Sequence, residues 1–556
     1  MASEAPWKAI ARRKQAERQS RIPSAWVLKS CPSSETLDVR SVPRTCGILT
    51  QSEVSITEKY DATALADAIR ARSLTAEQVT VAFCKRAAIA QQLCNCLTEI
   101  FFEDAIERAR FLDNEYARTG KTLGPLHGVP ISLKDTFKVR GYDASIGIAS
   151  LVGKPAKDNS LLVDILLEIG AVLYCKTNVP QALSAVDSDN NVFGRVLNPR
   201  DRRLTAGGSS GGEGALVAIR GSVLGVGTDI GGSIRIPAMC NGLYGIKPSD
   251  QRVPFVGQED GSREGFSKLG LKASAGPIAV SMRDCELFLQ AVSDARPWER
   301  DPALAYGLWS EQGSMQKQPI FGVLRTDDLS TPLPPVSKVL DETAQQLRKA
   351  GVEVVEIDAP AFQKCQSLAN KFFGIDGANT MLDLLEANQE PLTNWLSTRM
   401  RRGKQASMDK LIEIHAQKIK LETEMLKIWK DPTTGRQIDA IICPVAPHPV
   451  PPIDRWNSIS YTSSFVLLDY PAGTLPVRDF DEADLKGELA DAKPLNSYDK
   501  VNRELWDKQT IDRTLYLNTT HSVQIVAPRL QERRLYHAMS YIDRVLQTSG
   551  ASRANL

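Results

Sequence analysis

Apolar positions recur along this chain with two periods. Between residues 53 and 120 the spacing is helical: Thr75-Ala-Glu-Gln78 has the form of a capping box, and Val79, Phe83 and Ala87 then fall on one helix face. Residues 126–139 (LHGVPISLKDTFKV) carry a short apolar strand that ends in Lys134. Residues 160–169 (SLLVDILLEI) predict a helix stopped by Gly170, and AVLYCKT after it a buried strand. From residue 319, PIFGVL, a helix over 336–350 and VEVVEI predict a β-α-β unit; SVQIVA and ERRLYHAMSYIDRVL predict a closing strand and helix. This alternation predicts an α/β sheet with helices around it. Residues 379–430 read as a charged helical excursion. Residues 449–510, with many Pro and Asp and little periodicity, read as a long surface flap. Residues 1–52 form an N-terminal arm with a helix whose Trp7 and Ile10 share one side and pack on the body; 53–556 form the main domain.

Composition narrows the function classes. With 68 basic against 66 acidic residues the formal charge is +2, which gives no electrostatic reason to expect nucleic acid or an anionic membrane as partner. No apolar run approaches the roughly 18 residues of a membrane span. The basic N-terminus lacks the apolar core of a secretory signal. Ten scattered cysteines predict reduced, mostly buried thiols and a cytoplasmic setting. Five histidines with no HExxH, and no paired CxxC, argue against a metal, and the scarcity of histidine also argues for a base of another kind.

Three segments carry candidate chemistry. In Gly128-Val-Pro-Ile-Ser-Leu-Lys134 the lysine follows apolar residues that carry it inward, and burial lowers a lysine pKa toward neutrality. Such a lysine becomes a useful base only beside a hydroxyl. Gly207-Gly-Ser209-Ser210-Gly-Gly-Glu213 offers two hydroxyls in a glycine-rich run; it lacks the GxxxxGK[ST] order of a phosphate loop. Gly227-Thr228-Asp229-Ile230-Gly231-Gly232-Ser233-Ile-Arg235 offers consecutive N–H groups at Ile230, Gly231, Gly232 and Ser233, which can converge on an oxyanion beside a serine nucleophile. Two other matches fail on context. Gly207-Gly-Ser209-Ser-Gly211 has the GxSxG form, but no core strand precedes it, and Ser188-Asp-Asn190 precedes both SxxK matches instead of following one.

Together these segments resemble the amidase signature family, in its fungal acetamidase-like branch. Residues 207–237 fit the family pattern almost throughout, GPLHGVPISLKD, KTNVPQ and FGRVLNP also fit, and the likeness spans nearly the whole chain. The resemblance implies an α/β fold with a large mixed central β-sheet covered by helices on both faces, and a catalytic core over about 120–290. It implies a Ser-Ser-Lys triad of Lys134, Ser209 (in a cis peptide bond) and the nucleophile Ser233, working through an acyl-enzyme without cofactor or metal. Ile230, Gly231, Gly232 and Ser209 would hold the oxyanion and substrate; Ser210 would support Lys134; Thr228, Asp229 and Arg235 would hold the loop. The implied partner is a small-molecule amide, and a homodimer is compatible with it. One stretch departs from the branch: Tyr516-Leu-Asn518-Thr-Thr520-His-Ser-Val-Gln524, then Ala527-Pro528, has Asn518 and Thr520 where Gly and Pro are usual. That departure leaves a biosynthetic acyl transferase or cyclase of secondary metabolism as the alternative. Residues 183–191 and the 449–510 segment are the candidates for shaping the acyl pocket.

Overall fold

The computed structural model describes residues 4–548 except 264 and 490. Eleven strands form its centre: β1 (Leu97–Ile100), β2 (Pro130–Lys134), β3 (Val172–Thr177), β4 (Leu224–Asp229), β5 (Tyr244–Lys247), β6 (Ser274–Ala279), β7 (Ile320–Val323), β8 (Glu353–Glu356), β9 (Ala440–Cys443), β10 (Ala472–Asp479) and β11 (Thr520–Val526). They make one sheet in the order β1-β3-β2-β4-β6-β5-β10-β11-β9-β7-β8. The sheet is mixed: β2 runs parallel to β3 and β4, and β7 parallel to β8 and β9, while β4, β6, β5, β10 and β11 pair antiparallel. Most strands are buried along their length, so they read as continuous apolar runs. Alternate residues of β3 enter two different cores. Leu173 packs with Leu162 and Leu166 of the helix Leu161–Glu168, whereas Val172 and Tyr174 pack with Ala88 and Ala109 from the helices Ala76–Cys94 and Phe102–Thr119. Helices therefore cover both faces, which is the α/β class expected.

Two segments differ from their expected form. The 53–120 stretch is interrupted by β1, only four residues long; its LTEI sequence is too short to break a helical pattern, and pairing with β3 creates it. The 449–510 segment is not a surface flap throughout. It holds a buried helix, Ser460–Leu467, and β10, which lies mid-sheet between β5 and β11. Pro476 and the aspartates that mask β10 in the sequence are absorbed where the register shifts between Pro476 and Arg478, as a bulge allows.

The N-terminal helix Pro6–Ser20 seats Trp7 and Ile10 against Ala149, Val152, Val192 and Phe193. One turn on, buried Lys14 lies 2.6 Å from Glu99 and 2.9 Å from Asp143. Burial opposes its charge, but the two carboxylates outweigh that and hold its pKa above the usual lysine value. All ten cysteines are free, and eight are buried. Among the described residues no helix is long and apolar enough to cross a membrane.

Candidate active site

Strand β2 delivers Lys134 to the interior. Ile131 and Leu133 face the core, so Ser132 and Lys134 point the other way, into a polar pocket with no solvent exposure. Lys134 Nζ lies 2.7 Å from Ser209 Oγ and 2.8 Å from Thr228 Oγ1. Burial pulls the lysine pKa down to about 7, against the opposing pull of Asp229, Glu213 and Asp135. At neutral pH a large fraction of this amine is uncharged and carries a lone pair. Glu213 bridges Ser132 (2.6 Å) and Thr177 (2.8 Å), and its own pKa is raised by burial to about 7.

Ser209 is presented by a backbone that tolerates little else. The Gly208–Ser209 peptide is cis. A Cβ on Gly208 would sit 2.7 Å from the Ala185 carbonyl oxygen, so the 185–187 backbone packs directly on this peptide. Ser188 braces both sides: its hydroxyl donates to the Gly207 carbonyl (2.9 Å) and accepts from the Gly211 N–H (3.1 Å). The SDN match at Ser188 is thus a strut. Among the described residues no hydrogen bond joins Ser210 to Lys134; the Ser210 hydroxyl bonds the N–H and C=O of Thr228, both at 3.4 Å, and so holds the residue that Lys134 contacts.

The loop after β4 is pinned by one carboxylate. Asp229 accepts from the N–H groups of Gly232 (2.7 Å) and Ile234 (3.1 Å) and forms a fully buried two-point ion pair with Arg235 at 3.0 and 2.9 Å. Burial would raise its pKa, but the Arg235 guanidinium and Lys247 hold it below the usual carboxylate value. The Gly232 N–H is therefore not part of a free donor set, because Asp229 takes it. Among the described residues the N–H groups of Ile230, Gly231 and Ser233 have no protein acceptor. Gly232 has φ +128°, and a Cβ there would lie 2.5 Å from Thr462 Oγ1, so only glycine fits. Ser233 is 8% exposed; no hydrogen bond joins its hydroxyl to Ser209 among the described residues. The arrangement pairs a neutralisable amine with a hydroxyl, beside a second serine flanked by unpaired N–H donors. Such a set can move a proton and stabilise an oxyanion.

Residues 78–536 match the family model Amidase. The chain belongs to the amidase family.

Two of its relatives agree along nearly their full length. An amidase of Gibberella zeae is 38% identical over 97% of this chain and 99% of its own, and an acetamidase of Aspergillus oryzae is 36% identical over 98% and 99%. The solved structure of a fatty acid amide hydrolase superposes with a TM-score of 0.86 at 28% identity, covering 97% of this chain and 95% of that one. This amidase is accordingly an amide hydrolase.

Several residues that build the site escape a motif reading. Thr462, on Ser460–Leu467, donates to the Gly231 carbonyl at 2.6 Å and so ties the nominal flap to the glycine loop. Gln524 on β11 accepts from Arg235 (2.7 Å) and donates to the carbonyls of Tyr461 (2.9 Å) and Pro444 (3.2 Å). Thr474 on β10 donates to the Arg235 carbonyl (2.9 Å). No local pattern marks these residues; the glutamine of the 516–528 stretch was the one available signal. The departures at Asn518 and Thr520 lie at the other end of β11, where Thr520 bonds Asp479 (2.8 Å). Replacing Arg235 with Lys keeps the charge but loses the two-point grip on Asp229 and the bond to Gln524. Steady-state kinetics should show kcat down by about 10- to 100-fold, less than the roughly 100- to 1000-fold that outright loss of an oxyanion donor costs. Unchanged kcat would mean the loop holds without it.

Proposed function

We propose that this amidase hydrolyses a carboxamide through an acyl-enzyme on Ser233, using Lys134 and Ser209 as a proton relay. The supporting observation is Lys134 itself: fully buried, with a pKa near 7, and 2.7 Å from Ser209 Oγ. Neutral Lys134 takes the Ser209 proton as Ser209 takes that of Ser233, and Ser233 Oγ attacks the amide carbon. The carbonyl oxygen becomes an oxyanion held by the N–H groups of Ile230, Gly231 and Ser233. As the tetrahedral intermediate collapses the C–N bond breaks, and Ser209 passes its proton to the departing nitrogen while Lys134 restores it. Water then attacks the ester by the same relay, releasing the acid and regenerating Ser233.

The acyl side is read as apolar. Beside Gly231 stand Ile459 and Phe373, 3.2 and 3.7 Å from where its Cβ would be. Residues 185–187 of the 183–191 loop pack on Gly208, next to Ser209, and Leu183 of the same loop packs in a cluster with Ile146 and Met381. The acyl transferase alternative rested on the 516–528 departures; with Asn518 and Thr520 placed away from Gln524, hydrolysis is the better reading. The purified enzyme should release ammonia or amine from a panel of primary and secondary amides of increasing acyl length. It should also be labelled on Ser233 by a fluorophosphonate. No release from any member, together with no labelling, would sink the proposal. Thr462→Val removes the hydroxyl that bonds the carbonyls of Gly231 (2.6 Å) and Ile459 (2.9 Å) and should lower kcat several-fold with KM little changed; a pure KM effect would place Thr462 in substrate binding instead.

A further inference from the structure

The helix Pro6–Ser20 precedes the family match at residues 78–536, yet it grips segments that frame the site. Gln15 donates to the Val192 carbonyl (2.6 Å), Arg18 to that of Leu97 (2.6 Å), and Arg21, just past the helix, to that of Ile100 (3.2 Å). From the same helix buried Lys14 reaches inward to Glu99 and Asp143. A buried run of charge continues from there. Lys176 on β3, with no exposure, donates to the Asp143 carbonyl and lies 3.6 Å from Asp135. Asp135, the residue after Lys134, accepts from the hydroxyls of Thr98 (2.7 Å) and Ser145 (2.9 Å) and from the Ile146 N–H (2.7 Å).

Lys14 is what lets these charges stay buried. Glu99 and Asp143 have no other ion-pair partner among the described residues. Burial raises the Glu99 pKa to about 7 even with Lys14 and Lys176 beside it, and burial also pulls Lys176 down against three carboxylates. Without Lys14, two buried carboxylates would lose their cation and the run would have to rearrange.

The far end of the run is a wall of the pocket. Ile146 has φ +45°, a conformation that a β-branched residue keeps only when its surroundings enforce it. Its carbonyl accepts from the Ala182 N–H (3.0 Å), and its side chain packs with Leu183 and Met381. Lys134 and Ser209 have supports of their own, in β2 and in the Ser188 strut. The Ile146 N–H has Asp135.

We propose that Lys14 is a positioning residue for substrate selection: through Glu99, Asp143, Lys176 and Asp135 it holds Ile146, so that the N-terminal helix fixes a wall of the acyl pocket without touching substrate. The inference rests on the acyl pocket proposed beside Ser233.

Kinetics and hydrogen exchange of full-length Lys14→Met test it, with propanamide and octanamide as the short and long substrates. KM for octanamide should rise about tenfold while its kcat, and both constants for propanamide, stay within about twofold. Amide exchange across 143–149 should speed up about tenfold, and exchange across 207–237 should not change. Ser145→Ala removes the hydroxyl that bonds Asp135 and the Gly147 N–H, and it carries the test if Lys14→Met does not fold. It should show the same selectivity, and the double variant should be no worse than the stronger single one, because both act on one run of contacts. An equal loss of kcat on both amides, as a folding defect gives, overturns the proposal. So does an octanamide KM that does not move, unchanged exchange at 143–149, or additive variants. A wild type that hydrolyses neither amide and is not labelled on Ser233 sinks the acyl-pocket reading instead. The exchange result alone decides the link from Lys14 to Ile146, so the two failures are told apart.

Discussion

Ser233→Ala is expected to lower kcat for amide hydrolysis by at least about 10³-fold, with substrate still bound. The serine supplies the first bond that forms to the acyl carbon in the proposed route. Removing its oxygen leaves the N–H donors of Ile230, Gly231 and Ser233 and the acyl contacts in place. Those groups retain substrate affinity and a residual rate over water, but no acyl-enzyme can form. Ser209→Ala should be nearly as damaging, and the double variant scarcely worse than either, because members of one relay act as a unit. Single-turnover kinetics with intact-mass detection of the acyl adduct measure both. A Ser233→Ala variant that still accumulates the adduct would move the nucleophile off Ser233.

Lys134→Met carries the second large effect, and it separates into activity and stability. Activity should fall by about 10³-fold, since the methionine cannot accept the Ser209 proton. In the proposed relay the active form is the neutral amine, so kcat/KM should rise with pH through about 7 and level off above it. A rise centred well away from 7, or an unchanged profile in Lys134→Met, would remove the lysine from the relay. For stability the sign is opposite to that of a paired group. The unfolded lysine titrates near about 10.4 and the folded one near 7, so between those values the unfolded chain holds the extra proton. Stability therefore increases with pH across that window and is lowest at and below pH 7. Lys134→Met lacks that burden, and its melting temperature should exceed that of wild type by a margin that shrinks as pH rises from 7 to 10.

The helix Met408–Met425 shows how burial changes a reading. In sequence, Ile412 and Ile419 are ordinary members of a charged helix; only their exposure, set against the burial of Ile414 and Leu421, marks a second face. The same holds at the site. Asp229 stands in the signature run, yet its carboxylate engages Gly232 N–H and so reduces the donors expected for an oxyanion.

The sequence alone was enough for the α/β class and the family, and its motifs single out Lys134, Ser209 and Ser233 as the candidate residues. Apolar periodicity reports burial, and a run as particular as 207–237 encodes a backbone path that only its glycines allow. Beyond reach was everything that depends on distant partners. β10 exists because β5 and β11 flank it, although its own residues include Pro476 and Asp479. Thr462, Thr474 and Gln524 meet the 229–235 loop from more than two hundred residues away. Even the lysine pKa near 7 is a property of the folded chain: the sequence supplies the amine, and desolvation by residues far along the chain makes it a base.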